Sequence, residues 1–185
     1  VNPSIMMDKQ TNVKVIQQNL GRCKNALDNF YRFITNNHID IALLQEPYCF
    51  RNKIPTIASH TLIYVCSDDK KPRSAIAIST KLRFILVSQF STNDICACDI
   101  QLGNKTVSFV SAYIPVDQDR SSHINLLTTI TRSKSNLIIG GDFNSHHTLW
   151  GASFTDNKGR DVCEFLHAND LVLLNDGKIP TFYTT

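Results

Sequence analysis

Residues 136–151 read N-L-I-I-G-G-D-F-N-S-H-H-T-L-W-G, and this stretch decides the fold. Its apolar run, Leu137 to Ile139, is bounded by polar residues and glycines, which is typical of a short buried strand. Ligands of α/β sheets commonly bind where such strands end. The stretch therefore predicts a strand covered on both faces, with functional side chains directly after it.

Asp142 and Asn144 are the first candidates for that function. On an extended backbone, residues two apart lie on the same face. The carboxylate can then accept a proton from water while the carboxamide donates to a phosphate oxygen. Gly140 and Gly141 would let the backbone bend or a phosphate approach closely. An Asx-rich turn, in which both side chains bond their own backbone, explains the same residues equally well.

The composition is that of an ordinary soluble globular chain. The 185 residues suit one domain, with 42% hydrophobic and 19% charged residues and a net charge of +3. This charge permits a polyanionic partner without requiring one. The six cysteines lack zinc-site spacing, so we expect reduced thiols in an intracellular protein, with Cys96 and Cys98 as core residues. Without a long apolar run or signal peptide, we expect no membrane association.

Hydrophobic periodicity predicts strand, helix, several strands, helix, strand, helix, strand. Residues 1–12 are predicted to be a flexible arm, and residues 13–185 one domain. The predicted elements are a strand over 13–19, a helix with Leu27, Phe30, Tyr31 and Ile34 inward, a buried strand over 39–45, antiparallel strands between 61 and 114, a helix capped by Ser121 or Ser122, a helix over 159–168 and a buried strand over 171–174. This order predicts an α/β fold, a four-layer α/β/β/α sandwich.

Polar residues follow four of the predicted strands: Asn19, Glu46, Asp142 and Asn175. Each alone is explained by a solvent-exposed strand end, but together they favour a site at one sheet edge. Tyr113, in S-A-Y-I-P, is predicted to be a rim aromatic with an exposed hydroxyl. Five basic residues between positions 70 and 83 are either solvated or bind phosphate. They are Lys70, Lys71, Arg73, Lys81 and Arg83.

Ordered motifs carry a family resemblance. Q-x-N at 17–19, L-L-Q-E-P at 43–47, S-A-Y-I-P at 111–115 and G-D-F-N at 141–144 resemble the endonuclease/exonuclease/phosphatase superfamily, which has the DNase I-like fold. More specifically, N-L-x-R-x-x-x-A at 19–26, G-D-F-N-S-H-H-T-L-W-G at 141–151 and L-L-N-D followed by P-T-F resemble the endonuclease domains of non-LTR (LINE-type) retrotransposon proteins. The matches span residues 13–182.

The resemblance implies a phosphodiesterase that nicks double-stranded target DNA and leaves a 3′-hydroxyl to prime reverse transcription. Glu46 would ligate Mg²⁺, or Mn²⁺, with Asn19 near the metal or its water. Asp142 would orient or deprotonate water, Asn144 would hold the phosphate and Tyr113 would donate to it. The implied DNA contacts are Arg22, His146, His147 and Asn175. The implied context is nuclear, with a monomeric domain next to the reverse transcriptase region of one polyprotein.

The sequence departs from the superfamily pattern in one motif, the C-terminal S-D-H motif whose histidine completes the active site. The chain has only Ser67-Asp68-Asp69, without histidine and in the wrong half. We therefore expect the C-terminal strands to be missing and the fragment to be weak or inactive, since losing one acid or base costs about 10² to 10⁴ in rate.

Adjacent His146 and His147 point apart on a turn or strand, so contacts to DNA or packing are favoured over a metal site. Trp150 is predicted to be a packing anchor. Two other functions stay open: a same-fold phosphatase or RNA nuclease, and a catalytically dead DNA-binding module. The stretch H-H-T-L-W-G favours DNA among these.

Overall fold

The computed structural model describes residues 12–66 and 70–178, so most of the predicted N-terminal arm lies outside the described residues. The elements, in chain order, are β1 (Val15–Asn19), α1 (Lys24–Asn36), β2 (Ile41–Gln45), β3 (His60–Ile63), β4 (Ser74–Ser79), β5 (Phe84–Leu86), β6 (Ile95–Leu102), β7 (Lys105–Tyr113), α2 (Ser121–Ser133), β8 (Leu137–Asp142) and α3 (Asn157–Ala168). The chain forms two compact units, Val1–Ala112 with Asn136–Gly141, and Tyr113–Ser135 with Asp142–Thr185.

The first unit contains two four-stranded sheets, with strand orders β1-β2-β4-β3 and β5-β6-β7-β8. β1 and β2 are parallel, and α1 is the crossover between them. The pairs β2–β4, β3–β4, β5–β6 and β6–β7 are antiparallel. The strands predicted between 61 and 114 are therefore antiparallel as expected, but they are divided between two sheets.

Two apolar clusters cover both faces of β2. One contains Leu27 and Ile34 of α1 together with Leu44, so the predicted inward face of this helix is confirmed. The other contains Leu43 together with Phe109 of the second sheet. Because alternate residues of a strand point to opposite faces, every residue of β2 is buried.

β8 differs from its prediction, because all six of its residues are only half-buried and it lies at the end of its sheet. An apolar run predicts a strand but not its place in the sheet. Gly140 and Gly141 allow close packing, because a Cβ at either position would collide with a neighbouring residue. A Cβ at Gly141 would lie 2.3 Å from the Ala112 carbonyl oxygen, and one at Gly140 would lie 2.7 Å from Leu43 Cδ1.

The cysteines agree with the sequence prediction, since all six are free thiols. Cys96 and Cys98 are fully buried in the cluster between the sheets. Burial raises the pKa of both thiols, that of Cys98 to about 12. They are therefore inert core residues.

In the second unit, an aspartate hydrogen-bonds to the first turn of each helix. The predicted cap by Ser121 or Ser122 is wrong, since Asp119 Oδ1 accepts from the Ser121 backbone N–H (3.1 Å) and hydroxyl (2.8 Å). A carboxylate two residues earlier outcompetes the serine because it is the stronger acceptor. Asp156 caps α3 by accepting from the Gly159 N–H.

The predicted strand over residues 171–174 is also wrong. These residues form no strand, and Val172 and Leu174 are 82% and 84% exposed. Alternation assigns side chains to faces, but a strand also requires a hydrogen-bonded neighbour, and this segment has none among the described residues. Among the described helices, none has the length and apolar character to cross a bilayer.

Candidate functional site

The first group of predicted site residues lies where the parallel strands β1 and β2 end. Asn19 and Gln45 are partners in register. Beyond them, the Leu20 N–H donates to the Gln45 carbonyl (2.9 Å) and the Arg22 N–H to the Glu46 carbonyl (2.7 Å). The fold thus brings Asn19 and Glu46 to neighbouring positions, although they lie far apart in sequence.

Glu46 is held through both its carboxylate and its backbone. Arg22 Nη2 lies 2.6 Å from Glu46 Oε1, and the Glu46 N–H donates to the Arg73 carbonyl (2.8 Å). The Glu46 side chain is 17% exposed, whereas that of Arg22 is 62% exposed. Both residues have positive φ, +46° and +56°. Such strained conformations persist where the surrounding structure imposes them, which is common at functional sites.

Directly beneath Glu46, a chain of four polar side chains, three of them fully buried, joins the two sheets. Gln45 Nε2 donates to Ser111 Oγ (2.9 Å), and Ser111 Oγ donates to the Leu44 carbonyl (2.9 Å). Ser74 Oγ donates to the Ser111 carbonyl (2.7 Å), and Gln17 Nε2 donates to Gln45 Oε1. We call Gln17, Gln45, Ser74 and Ser111 the inter-sheet polar bridge.

Sequence reasoning missed this bridge. Gln45, Ser74 and Ser111 are all fully buried. Buried polar side chains are stable only when hydrogen-bonded, so satisfied groups here hold the strand ends in one arrangement. The available signal was a glutamine that ends the apolar run I-A-L-L-Q.

The donor atoms of this group fit a hard cation. Asn19 and Glu46 offer only oxygen ligands, which suit Mg²⁺. Among the described residues, no three His, Cys, Asp or Glu side chains cluster as a metal site. Mg²⁺ keeps several waters and needs only one or two carboxylates, so this sparse set is compatible with it.

The second group lies in the second unit, after β7 and β8. The Ile114 N–H donates to the Asp142 carbonyl (2.9 Å), and the Asn144 side-chain amide donates to the Ile114 carbonyl (2.9 Å). The Asn144 N–H donates to Asp142 Oδ1 (3.0 Å), and its φ is +44°. This is an Asx turn, so the predicted extended arrangement is wrong. The alternative is right for Asp142 only, since the Asn144 side chain bonds the distant Ile114 and not its own backbone. Tyr113 is only 7% exposed, so the ring is buried and not a rim aromatic as predicted.

The adjacent histidines have separate partners, as their side chains point apart. His146 Nδ1 lies 3.0 Å from Asp156 Oδ2, and its ring stacks on Phe154 with centroids 4.8 Å apart. His147 Nδ1 accepts from the Leu149 N–H (3.1 Å), and its ring centroid is 5.0 Å from that of Trp150. Both histidines therefore have packing roles.

Trp150 Nε1 donates to the Ser145 carbonyl (3.1 Å), which confirms the indole as a packing anchor. Asn175 is exposed and follows no strand, so it does not join the predicted strand-end groups.

Asp156, which sequence reasoning also missed, organises this loop. Its carboxylate accepts from the Gly159 and His146 backbone N–H groups and from the His146 ring. Burial alone would raise the pKa of Asp156, but these hydrogen bonds outweigh it and lower the pKa. The signal in the sequence was an aspartate three residues before Gly159 at the start of an amphipathic helix.

Solved structures identify the fold. An AP endonuclease from Archaeoglobus fulgidus matches with TM-score 0.56 and 15% identity, over 85% of this chain and 71% of that one. The human Nocturnin catalytic domain matches with TM-score 0.56 and 14% identity, over 92% and 77%. The fold is therefore the DNase I-like fold of endonucleases, exonucleases and phosphatases, as the sequence predicted.

A third structure identifies the family. The endonuclease domain of TRAS1, a telomere-specific non-LTR retrotransposon, matches with TM-score 0.83 and 30% identity, over 94% of this chain and 78% of that one. A family model described as endonuclease-reverse transcriptase matches residues 107–185. The chain belongs to the family of non-LTR retrotransposon endonuclease domains. No curated protein sequence matches it.

Proposed function

We propose that the domain to which this chain belongs is a Mg²⁺-dependent phosphodiesterase that nicks duplex DNA and leaves a 3′-hydroxyl to prime reverse transcription. The observation that carries the proposal is the partly buried Glu46 carboxylate beside the Asn19 position, at the ends of two parallel strands. A carboxylate held in this way is a preorganised ligand for a cation and its bound phosphate.

Glu46 and Asn19 would hold the metal, with water and phosphate oxygens in the remaining positions. When bound, Mg²⁺, or Mn²⁺ in its place, would stabilise the negative charge that develops on the phosphate and the leaving oxygen. Arg22 and the metal are alternative partners for the Glu46 carboxylate. When the metal is bound, the exposed Arg22 guanidinium would instead bind a DNA phosphate.

The Asx turn after β8 orients the groups that act on water and phosphate. Asp142 would align the attacking water and accept its proton. Asn144 has one side-chain N–H on the Ile114 carbonyl, and its second N–H would donate to a phosphate oxygen, as would the Tyr113 hydroxyl. Water attacks phosphorus and the bond to O3′ breaks, so the products are a 5′-phosphate and a 3′-hydroxyl.

The same family supplies the proposed context. The description endonuclease-reverse transcriptase supports a reverse transcriptase region in the same polyprotein. The nucleus is the proposed site of action. Arg22, His146, His147 and Asn175 are proposed DNA contacts, and the domain is proposed to act as a monomer.

Nicking of supercoiled plasmid in Mg²⁺ and in EDTA tests the proposal. We expect Glu46→Ala to lower the nicking rate by at least about 10²-fold. Glu164→Ala, which removes a carboxylate from α3, is the matched control and should keep the wild-type rate.

The assay uses this chain and a longer version that carries a closing S-D-H motif. Nicking that persists in EDTA, or Glu46→Ala with the wild-type rate, would contradict the metal role of Glu46. If neither version nicks DNA, a same-fold phosphatase or RNA nuclease becomes the better proposal.

A further inference from the structure

A tight turn at residues 50–53 follows Glu46 by four residues. The Phe50 N–H donates to the Lys53 carbonyl (2.9 Å), and the Lys53 N–H donates to the Phe50 carbonyl (3.0 Å). Arg51 and Asn52 have φ of +49° and +60°. This is a two-residue hairpin turn of the type in which both central residues are left-handed.

Arg51 is an unfavourable choice for its position in the turn. Turns of this type favour Asn, Asp and Gly at both central positions, because other residues are strained there. The paired backbone bonds and the Cys66 thiol, which donates to the Asn52 carbonyl (3.1 Å), hold the turn without using the arginine side chain. A strained residue that the turn does not need points to a role for its side chain.

The side chains of this turn form an aromatic and basic surface. Phe50 is 60% exposed, and the Arg51 guanidinium carbon lies 5.3 Å from the centroid of its ring. Phe50, Arg51 and Lys53 also line an open groove of about 330 Å³, together with Ile54 and Pro55. An exposed aromatic ring beside two cations is suited to nucleic acid, since bases stack on the ring and phosphates pair with the cations.

The local charge supports the same interpretation. No Asp or Glu occurs between Glu46 and Asp68. Within the described part of the chain, neither Arg51 nor Lys53 forms an ion pair. Both cations are therefore available for phosphates.

We propose that the 50–53 turn is a DNA-binding element of this domain. Phe50 contacts bases through its ring, while Arg51 and Lys53 bind backbone phosphates. Four residues of chain span at most about 14 Å, so the turn engages nucleotides close to the phosphate at Glu46. The inference rests on the proposed function and adds a specific contact surface to it.

The test is binding of a fluorescent DNA duplex in EDTA, measured by anisotropy over a range of salt concentrations. Phe50→Ala should weaken binding at least about fivefold with the salt dependence unchanged. Arg51→Gly and Lys53→Ala should each lower the slope of log affinity against log salt by about 1. Phe33→Ala and Lys105→Ala remove an exposed aromatic ring and an exposed charge elsewhere and should bind like wild type.

Arg51→Gly separates binding from folding, because glycine suits the left-handed conformation and should keep or raise the melting temperature. Weaker binding with unchanged melting supports the proposal. If all three turn variants bind within twofold of wild type, with the same salt slope, the turn is not a DNA contact. Wild-type protein that nicks DNA in that case leaves the proposed function intact, whereas wild-type protein that neither binds nor nicks DNA overturns both.

Discussion

The strand ends at Asn19 and Glu46 and the loop over residues 142–156 position their side chains by different means. The first region depends on bonds between distant parts of the chain: Arg22 and Glu46 are 24 residues apart, and Gln45 and Ser111 are 66 apart. In the loop most bonds are local, such as Asn144 to Asp142, two residues apart. The comparison teaches that one region is assembled by the sheets, whereas the other is largely encoded by its own turn residues.

Different consequences follow for substitution. Damage to the polar bridge beneath Glu46 should weaken the packing of both sheets and so lower the global free energy of unfolding. Damage in the loop should act through the packing of the loop against α3, since most of its bonds close short segments of chain. The following predictions test this difference, from the largest expected effect to the smallest.

Gly159→Ala should produce the largest loss. A Cβ at this position would lie 1.9 Å from the His146 carbonyl oxygen, so the loop must move away from α3. Alanine favours a helix by about 1 kcal/mol over glycine, but this clash should outweigh it and destabilise by about 3 kcal/mol. Urea denaturation measures the change, with Arg160→Ala on the exposed face of α3 as control. A stabilised Gly159→Ala variant would show that the loop does not depend on this close contact.

Gln45→Leu should come next. It leaves the Gln17 amide without its acceptor and removes the donor to Ser111, which should lower the free energy of unfolding by about 2 kcal/mol. The matched control is Gln18→Leu, at an exposed position of the neighbouring strand β1. Equal stability of the two variants would mean that the buried bridge contributes no more than a surface amide.

Asp156→Ala should destabilise by about 1 kcal/mol at pH 7, because it removes the cap of α3 and the partner of His146. Hydrogen bonding lowers the pKa of Asp156 in the folded state, so its contribution is complete above the ordinary value of 3.8. It is lost as the pH falls below that value, and the difference between wild type and variant should shrink there. Denaturation at pH 7 and pH 3 measures both effects, and a constant difference would refute the protonation argument.

Arg22→Ala should change stability least, by less than about 0.5 kcal/mol, because the ion pair to Glu46 is solvent-exposed on the arginine side. Its effect should appear instead in DNA binding, which measures the proposed phosphate contact. A loss of more than about 1 kcal/mol in urea denaturation would show that the ion pair is structural.

Local patterns were sufficient for much of the fold. The inward face of α1, the buried strand β2 and the inert Cys96 and Cys98 follow from periodicity, since burial requires apolar residues at repeated positions. Periodicity failed at β8, which is half-buried at a sheet end, and at residues 171–174, which form no strand. Whether an apolar run is central, peripheral or unpaired depends on its neighbours, which periodicity does not specify.

Local sequence patterns were sufficient for the family motifs, the order of most elements and three of the four polar residues predicted at strand ends, since Asn175 follows no strand. It also contained the Asx turn at Asp142, because that turn is closed by a bond between residues two apart. Only the tertiary structure decided that Gln45, Ser74 and Ser111 share one buried bridge, that Glu46 pairs with Arg22 and that Tyr113 is buried. These contacts join segments that are distant in the chain, and the sheets bring them together through pairing that no local pattern specifies.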